Sequence, residues 1–519
     1  MRRRAAIRAS VGMALCIVGF VMARTSAYRV TTVIIDAGGC RMVTDVVDRG
    51  QDATDGAVVL LHGVVANKKI MAYLARSFAE QNLRVFVPDL PGHGRTKGPF
   101  SFAGAETCGE ALLDQLIVGG VVDPARTILA GHSMGGAIAV RVAAHVRVAG
   151  VIAISPAPMS TARGIRADLL PYTNPPPTPA NTLAISASWE PFGIRASTED
   201  LIAGEARTTG KYLGVPHSTH VSVLFDPRVA RASQQWAAHL LRLSGEFALP
   251  SRWPLVGGLA GLLGLFLIAG PFVREVVGGA QRRVVGVHDT GADTVDDQRA
   301  IEELQVRTGV LRGCIEVGVA SMAAVLLLRL GNPLRFVHVF QGDYFASFLL
   351  LLGVALLLWH FKEARVLFWK WSVQPWIAAA FAALAINLLV YTWFDLTLTE
   401  AWLTAARWLR IPVVLAAVVP YHIAEELLIG SAAVNRDGQR LWLALLFRFI
   451  AWCGLIVGVF QLHNGEFLLF LLALYFAGFC VLQRIAVGVV RKATGSVLAS
   501  ALFGAILLAG FSLVIFPVT

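Results

Sequence analysis

Long apolar runs dominate the second half of this 519-residue chain. A helix needs about 20 apolar residues to cross the hydrocarbon core of a bilayer. Eight stretches of roughly that length follow one another, at residues 254–273, 313–331, 346–361, 375–394, 403–424, 441–462, 467–482 and 495–517. Residues 250–519 are therefore predicted to form an all-α, multi-span membrane domain.

A ninth apolar stretch lies near the N-terminus. The basic segment "MRRRAAIR" is followed by the 13 residues "VGMALCIVGFVMA" (11–23). A basic flank before a short apolar core is typical of a secretory signal peptide or of a membrane anchor. Residues 1–30 are predicted to be one of these, and either would send the following residues out of the cytoplasm.

The basic residues around the apolar stretches are unevenly distributed. With residues 31–249 outside, 18 Lys and Arg fall in inner loops and four in the short outer loops. This bias predicts a multi-pass cell-membrane protein with an extracytoplasmic domain, and it accounts for the net charge of +11 without a nucleic-acid partner. The lack of any Asn-x-Ser/Thr sequence fits a bacterial inner-membrane protein.

Residues 31–249 have a different pattern, in which charged residues are mixed throughout. Short apolar runs alternate with helical patterns, and the runs lie at 57–61, 84–88, 127–130, 150–154, 182–186 and 211–215. Such alternation predicts an α/β domain with a mostly parallel sheet and helices on both faces. Catalytic residues in such domains follow the carboxyl ends of the strands.

The six cysteines show no Cys-x-x-Cys spacing, so no metal or redox cofactor is predicted. Cys40 and Cys108 both fall in the α/β region. They could form a disulfide if that region lies outside the cytoplasm, but the sequence favours two unpaired, buried thiols.

The segment "LAGHSMGGAIAV" (129–140) contains Gly-x-Ser-x-Gly between a predicted strand and a predicted helix. Gly131 and Gly135 flank Ser133, where a sharp turn would leave no room for a Cβ. This context predicts Ser133 as a nucleophile. Upstream, "LLHGVVAN" (60–67) also follows a strand, so the amides of Val64 and Met134 are candidates for an oxyanion hole.

The motifs "LLHG", "PDLPGHG" and "GHSMGG", together with a late histidine, resemble the α/β-hydrolase superfamily over residues 55–243. The monoacylglycerol lipase-like and serine aminopeptidase-like members are the most similar. The resemblance implies a triad of Ser133, an acid after a later strand and a histidine after the last strand, with no metal. Glu190 in "LAISASWEPF" stands where most members carry Asp, and Asp200 is the alternative. In "PHSTHVSVLFDP" the family position fits His220, and His217 is the alternative.

Three membrane segments, "PYHIAEELLIG", "VFQLHNGEF" and "RKATGSVLASALFGAI", resemble the membrane-embedded CAAX protease and bacteriocin-processing (CPBP) family. The resemblance implies a possible second site at Glu425, Glu426 and His463. Ionisable residues in apolar spans are costly and are functional candidates. Gly430 and Gly504 depart from the family, because an arginine and a histidine are expected there. A degenerate descendant of that family is therefore favoured.

Together these features predict a membrane-tethered serine hydrolase that uses Ser133, His220 and Glu190 on an ester, lipid or peptide substrate, a lipid acyl ester above all. Two alternatives stay open at this point. One is an intramembrane protease using Glu425, Glu426 and His463, and the other is a non-catalytic binding or transport module that carries a hydrolase domain.

Overall fold

The computed structural model describes residues 2–24, 27–50, 54–159, 178–203, 209–285, 309–369, 373–431, 437–461 and 467–519. The chain divides into two compact units. The first, called the helical unit, contains Met1–Phe20, Leu259–Trp393 and Trp402–Phe516. The second, called the sheet unit, contains Val21–Gly258 together with Phe394–Ala401 and Pro517–Thr519.

The sheet unit is built on one eight-stranded sheet. Its strands are β1 (Arg29–Ala37), β2 (Cys40–Asp48), β3 (Ala57–Leu61), β4 (Arg84–Pro88), β5 (Thr127–His132), β6 (Gly150–Ile154), β7 (Thr182–Ala187) and β8 (Lys211–Val215). The spatial order is β1-β2-β4-β3-β5-β6-β7-β8. Strands β3 to β8 are parallel to one another, β2 pairs antiparallel with β4, and the six predicted apolar runs coincide with β3 to β8 to within two residues. The predicted mostly parallel sheet is confirmed.

The central strands of the sheet are covered on both faces. Every residue of β3, β5 and β6 is buried, which explains why these strands read as continuous apolar runs rather than alternating ones. In the register of the sheet, Leu61 of β3 pairs with Gly131 of β5, and His132 of β5 pairs with Ile154 of β6. The loops that follow these strands therefore begin side by side at one edge.

Strands β1 and β2 form an antiparallel hairpin that the sequence analysis did not identify. Their turn is Gly38-Gly39, with φ of 55° and 81°. Two consecutive residues at positive φ are the requirement of the tight turn that best fits the twist of a hairpin. Much of β1 is exposed, so its residues do not show the apolar run that marks the central strands.

Helix α1 (Arg2–Arg24) precedes the sheet, and five further helices accompany the strands: α2 (Ala72–Ala79), α3 (Phe102–Val118), α4 (Met134–Ala143), α5 (Phe192–Asp200) and α6 (Pro227–Leu241). Helix α6 begins where sequence rules place a start. The Asp226 side chain accepts a hydrogen bond from the Arg228 amide, and Pro227 occupies the first helical position.

A disulfide joins Cys40, at the start of β2, to Cys108 in α3, with their Cα atoms 5.6 Å apart. The expectation of two unpaired thiols was wrong. The sequence separation of 68 residues gave no sign of the contact, which exists because α3 packs against the β1–β2 hairpin.

The helical unit contains most of α1 and the following helices: α7 (Trp253–Val285), α8 (Val310–Leu330), α9 (Gly342–Trp359), α10 (Phe361–Trp369), α11 (Val373–Thr397), α12 (Ala405–Trp408), α13 (Ile411–Ser431), α14 (Asp437–Gln461), α15 (Phe467–Leu471), α16 (Ala473–Thr494) and α17 (Val497–Ile515). The last residues of α1, the first of α7 and the last of α11 are assigned to the sheet unit. Among the described residues, nine helices, α1 included, are long and apolar enough to cross a membrane, which is the predicted number. Their limits differ from the prediction. Arg484, one of the 18 basic residues predicted to lie in inner loops, lies within α16.

Candidate active site

Ser133 occupies the sharp turn between β5 and α4. Its backbone has φ 53° and ψ −119°, a conformation that side-chain-bearing residues rarely adopt. The Ser133 amide donates to the Ile154 carbonyl at 2.9 Å, and its carbonyl accepts from the Ala137 and Ala157 amides at 3.0 and 3.1 Å. These three bonds over-determine the turn and hold the strained conformation.

The two glycines of Gly-x-Ser-x-Gly are needed for this turn. A Cβ at Gly131 would lie 2.2 Å from the carbonyl carbon of Gly135, and a Cβ at Gly135 would lie 2.2 Å from the carbonyl oxygen of Leu61. Both distances are far inside van der Waals contact. The sequence therefore contains glycine here because strand β3, the turn and α4 approach one another at backbone distance.

His220 lies between Ser133 and Glu190. Its Nε2 is 3.0 Å from the Ser133 Oγ, and its Nδ1 is 2.9 Å from Oε2 of Glu190. Glu190 follows β7 and His220 follows β8, as the sequence analysis expected, so three loops bring these residues together across 87 positions of the chain. The alternatives do not occupy these places, since Asp200 ends α5 and the exposed His217 places its ring edge-on to Trp189.

The surroundings of Glu190 fix the direction of the hydrogen bonds. The Glu190 side chain is fully buried, and its other oxygen, Oε1, accepts from the Ala187 amide at 2.9 Å. A carboxylate can only accept, so Nδ1 of His220 carries the hydrogen and Nε2 presents a lone pair to the Ser133 hydroxyl. This is the tautomer that can take a proton from serine.

His132, the residue before Ser133, holds the backbone of His220. Its Nε2 donates to the His220 carbonyl at 2.7 Å. Burial lowers the pKa of His132 to about 3, with the nearby His220 contributing, so the ring is neutral near pH 7. No role for His132 was predicted from the sequence. Its only sign in the sequence is a polar residue at the end of an otherwise apolar strand.

His62 orders the loop after β3 from its buried position. The Leu90 amide donates to its Nε2 at 3.0 Å, so the hydrogen is on Nδ1, which donates to the Gly63 carbonyl at 2.8 Å. Burial lowers the pKa of His62 to about 4. The Gly63 carbonyl also accepts from the Ala66 amide at 3.2 Å. In a trans peptide the Val64 N–H points opposite to the Gly63 carbonyl. The His62 ring and the Ala66 amide, which both donate to that carbonyl, therefore fix the direction of the Val64 N–H.

The candidate oxyanion donors flank Ser133. A Cβ at Gly63 would lie 2.9 Å from the Cβ of Ser133, so the peptide that carries the Val64 amide runs close beside the serine. Met134 is the first residue of α4, where backbone N–H groups have no partner within the helix. The arrangement can place two backbone donors and a helix N-terminus around a developing negative charge.

The second candidate site lies in the helical unit, where Glu425 of α13 is bound by two arginines. Arg448 of α14 donates to both carboxylate oxygens, Nε to Oε1 at 2.6 Å and Nη2 to Oε2 at 2.8 Å, and Arg484 of α16 donates to Oε2 at 3.2 Å. Arg484 also pairs with Glu426. All four side chains are largely buried.

His463, the third residue predicted for that site, lies outside the described residues. The carbonyl of Gly504 accepts from the side-chain Nε2 of Gln483, and the Gln483 Oε1 accepts from the Arg448 Nη1 at 2.6 Å. Within the part of the chain that the structure describes, no group of three or more His, Cys, Asp or Glu residues could hold a metal ion. The described contacts form an ion-pair network between helices.

A family model and several solved structures match part of the chain. Residues 58–291 match the sequence model of the alpha/beta hydrolase family. The chain is similar to a predicted CIB-like hydrolase from Thermoplasma acidophilum (19% identity, 41% of this chain and 99% of that one, TM-score 0.32). It is also similar to an α/β serine hydrolase without lid from Xanthomonas campestris (17% identity, 42% of this chain and 97% of that one, TM-score 0.33). A third similar structure is an esterase from Pyrococcus furiosus (16% identity, 42% of this chain and 94% of that one, TM-score 0.34). No curated protein matches the chain.

The matched family model and the mostly parallel sheet define an α/β hydrolase fold, so the predicted fold class is confirmed, and the family match supports a hydrolase. The C-terminal part is all-helical and contains several long apolar helices.

Proposed function

We propose that the chain is a membrane-tethered serine hydrolase that uses Ser133, His220 and Glu190 as a catalytic triad. The observation that carries this proposal is the continuous hydrogen-bonded series from the Ser133 Oγ through His220 to Glu190, at 3.0 and 2.9 Å, with the serine on a strained turn. A nucleophile, a base within hydrogen-bond reach and a third group that orients the base are the diagnostic geometry of nucleophilic catalysis.

The reaction proceeds through an acyl-enzyme. The Ser133 Oγ attacks the substrate carbonyl carbon while Nε2 of His220 takes the hydroxyl proton, and the amides of Val64 and Met134 stabilise the oxyanion. His220 then gives the proton to the departing alcohol. Water attacks the acyl-enzyme by the same route, with its proton passing through His220, and releases the acid. Glu190 stabilises the imidazolium throughout and stays ionised.

An ester with an apolar acyl group is the substrate that suits this site best. Trp189 and Phe192 lie on either side of Glu190 in the chain, and both side chains are about two-thirds exposed. Large exposed apolar side chains beside a catalytic residue favour an apolar substrate. The esterase among the similar structures agrees with this class, and a lipid acyl ester is the natural form of such a substrate at a membrane.

Active-site labelling tests the proposal. A fluorophosphonate probe should label the detergent-purified full-length protein at one site per chain, and Ser133→Ala should abolish the label. Nitrophenyl esters of increasing chain length should be hydrolysed, and Trp189→Ala should raise KM for the long acyl chains more than for acetate. Equal KM changes for all chain lengths would rule out the acyl-binding role of Trp189.

We also propose that the sheet unit lies outside the cytoplasm. The basic N-terminus and the excess of Lys and Arg that the sequence predicts on the inner side support this orientation. The Cys40–Cys108 disulfide is a second, independent support, because disulfides persist in oxidising compartments. Reporter fusions after residue 245 and within residues 287–304 should report opposite sides of the membrane. Two cytoplasmic reports would overturn the orientation.

The pairing of Glu425 argues against a peptidase in the helical unit. A carboxylate whose two oxygens already accept from arginines is poorly placed to activate water or to bind a metal. The CPBP-like segments are therefore proposed to be a structural descendant of such a site.

A further inference from the structure

The loop that carries the Val64 amide is anchored at its far end by Asn67. The Asn67 Nδ2 donates to the Thr399 Oγ1 at 2.7 Å and to the Glu400 carbonyl at 3.2 Å. Its Oδ1 accepts from the Glu400 amide at 3.3 Å and from the Lys69 amide at 3.2 Å. Thr399 and Glu400 are more than 330 positions away in sequence but belong to the same compact unit as the loop.

The next residue, Lys68, strengthens the same anchor. Its ammonium lies between two carboxylates, Asp89 at 2.7 Å and Glu400, and all three side chains are at most 3% exposed. The Lys68 amide also donates to Asp89 at 2.9 Å. The two carboxylates raise the pKa of Lys68 despite its burial, so it stays charged. This buried arrangement holds Lys68 in one position, because moving it away from either carboxylate would leave an uncompensated buried charge.

Between the two ends of the loop the backbone is strained. Val65, next to the candidate oxyanion donor, has φ 60°, and a β-branched residue in that region is a conformational outlier. His62 holds the first end of the loop and Asn67 with Lys68 holds the second. Such strain persists only where the surroundings over-determine the backbone.

We infer that Thr399 and Glu400, in the segment Phe394–Ala401, position the loop that carries the Val64 amide, and that Asn67 and Glu400 are positioning residues of the hydrolytic reaction. This inference rests on the proposed serine-hydrolase function. The bonds from Asn67 to Thr399 and Glu400 keep Val65 in its strained conformation and the Val64 amide directed at the developing oxyanion. Loss of these bonds lets the loop relax, and the transition state loses a donor while the ground-state complex loses little.

The test compares the wild type with two minimal variants of the full-length protein. Thr399→Val replaces a hydroxyl by a methyl and removes the nearer of the two acceptors of the Asn67 Nδ2. Asn67→Asp keeps the oxygen that caps Lys69 but removes the donor. Both should lower kcat for a nitrophenyl ester about tenfold with KM unchanged, and should weaken inhibition by a trifluoromethyl ketone, which forms an oxyanion on serine, by the same factor.

Three controls separate the possible outcomes. Leu396→Ala changes an exposed side chain of the same segment and should leave kcat unaltered. Fluorophosphonate should still label every variant at one site per chain, and the thermal midpoint of Thr399→Val should match the wild type. Unchanged kcat in both variants, or reduced kcat with unchanged affinity for the trifluoromethyl ketone, would overturn the inference. A wild type that neither hydrolyses esters nor reacts with fluorophosphonate would refute the proposed function itself.

Discussion

The carbonyl oxygen of His220 lies 2.7 Å from Nε2 of His132, so the strand end that presents the nucleophile also holds the loop that carries the base. The two residues are 88 positions apart in sequence. Because β5 is fully buried, His132 is a rigid donor. The distance between Ser133 and His220 is therefore set by the core of the sheet rather than by the surface loop alone.

The two buried histidines of the site should make stability depend on pH. The folded-state pKa values of His62 and His132 are lowered to about 4 and about 3 by burial, whereas an unfolded histidine binds a proton below about 6.5. The unfolded state therefore binds more protons than the folded state below about pH 6.5. The free energy of unfolding has its full value above about pH 6.5 and falls as the pH drops towards 4 and then 3. His62 alone accounts for about 3 kcal/mol of this change.

Thermal midpoints of the full-length protein between pH 7.5 and 4.5 check this dependence. His62→Gln should flatten it. His145→Gln, which replaces an exposed histidine, should leave it as in the wild type. A midpoint that rises as the pH falls would contradict the assignment of two buried, neutral rings.

Glu190→Gln should lower kcat by about 10³- to 10⁴-fold while the protein stays folded. If the Gln oxygen keeps the Ala187 amide, its NH₂ faces Nδ1 of His220, which must then become an acceptor. The hydrogen moves to Nε2, and the ring can no longer take the serine proton. Glu190→Asp, which preserves the charge, should lower kcat less than Glu190→Gln does. Equal kcat for the Gln variant and the wild type would remove Glu190 from the triad.

Replacing Cys40 and Cys108 by serine should destabilise the sheet unit. The disulfide closes a loop with a sequence separation of 68, for which chain entropy gives about 4 kcal/mol. The thermal midpoint of the double variant should fall, and a reductant should lower the wild-type midpoint to the same value. A reductant that acts equally on both proteins would show that the bond is absent.

Glu425→Gln and Glu426→Gln should leave ester hydrolysis by Ser133 nearly unchanged and lower stability instead. Each substitution removes a charge from a buried network with Arg448 and Arg484, and breaking such a pair costs about 3–5 kcal/mol. Thermal midpoints and ester kinetics of the same preparations separate the two effects. A chelator-sensitive peptidase that survives Ser133→Ala and disappears in Glu425→Gln would place chemistry in the helical unit.

Sequence patterns predicted the strands and helices that depend on residues close to one another in the chain. Strands β3, β4 and β6 were predicted to the residue because a strand covered on both faces reads as an uninterrupted apolar run. The bounds of β8 were also predicted, although this edge strand is partly exposed. The β1–β2 hairpin was missed because β1 is largely exposed, although its Gly38-Gly39 turn was a usable signal. The nine apolar helices follow from length and composition.

Contacts between distant parts of the chain could not be predicted in the same way. The sequence indicated Ser133, His220 and Glu190 through a family pattern, and the structure brings the three within hydrogen-bond distance. The bonds of His132 to the His220 carbonyl and of Asn67 to Glu400 have no local signature, since both partners are backbone groups far along the chain.

The central claim is that Ser133 is the nucleophile, and the most direct measurement is ester turnover by Ser133→Ala beside the wild type. Alanine removes only the hydroxyl, and the turn is held by backbone bonds, so the variant should keep the wild-type thermal midpoint. Its kcat should fall by several orders of magnitude, as when one member of a catalytic triad is removed. Turnover within a few-fold of the wild type, on every ester and amide tested, would contradict the account.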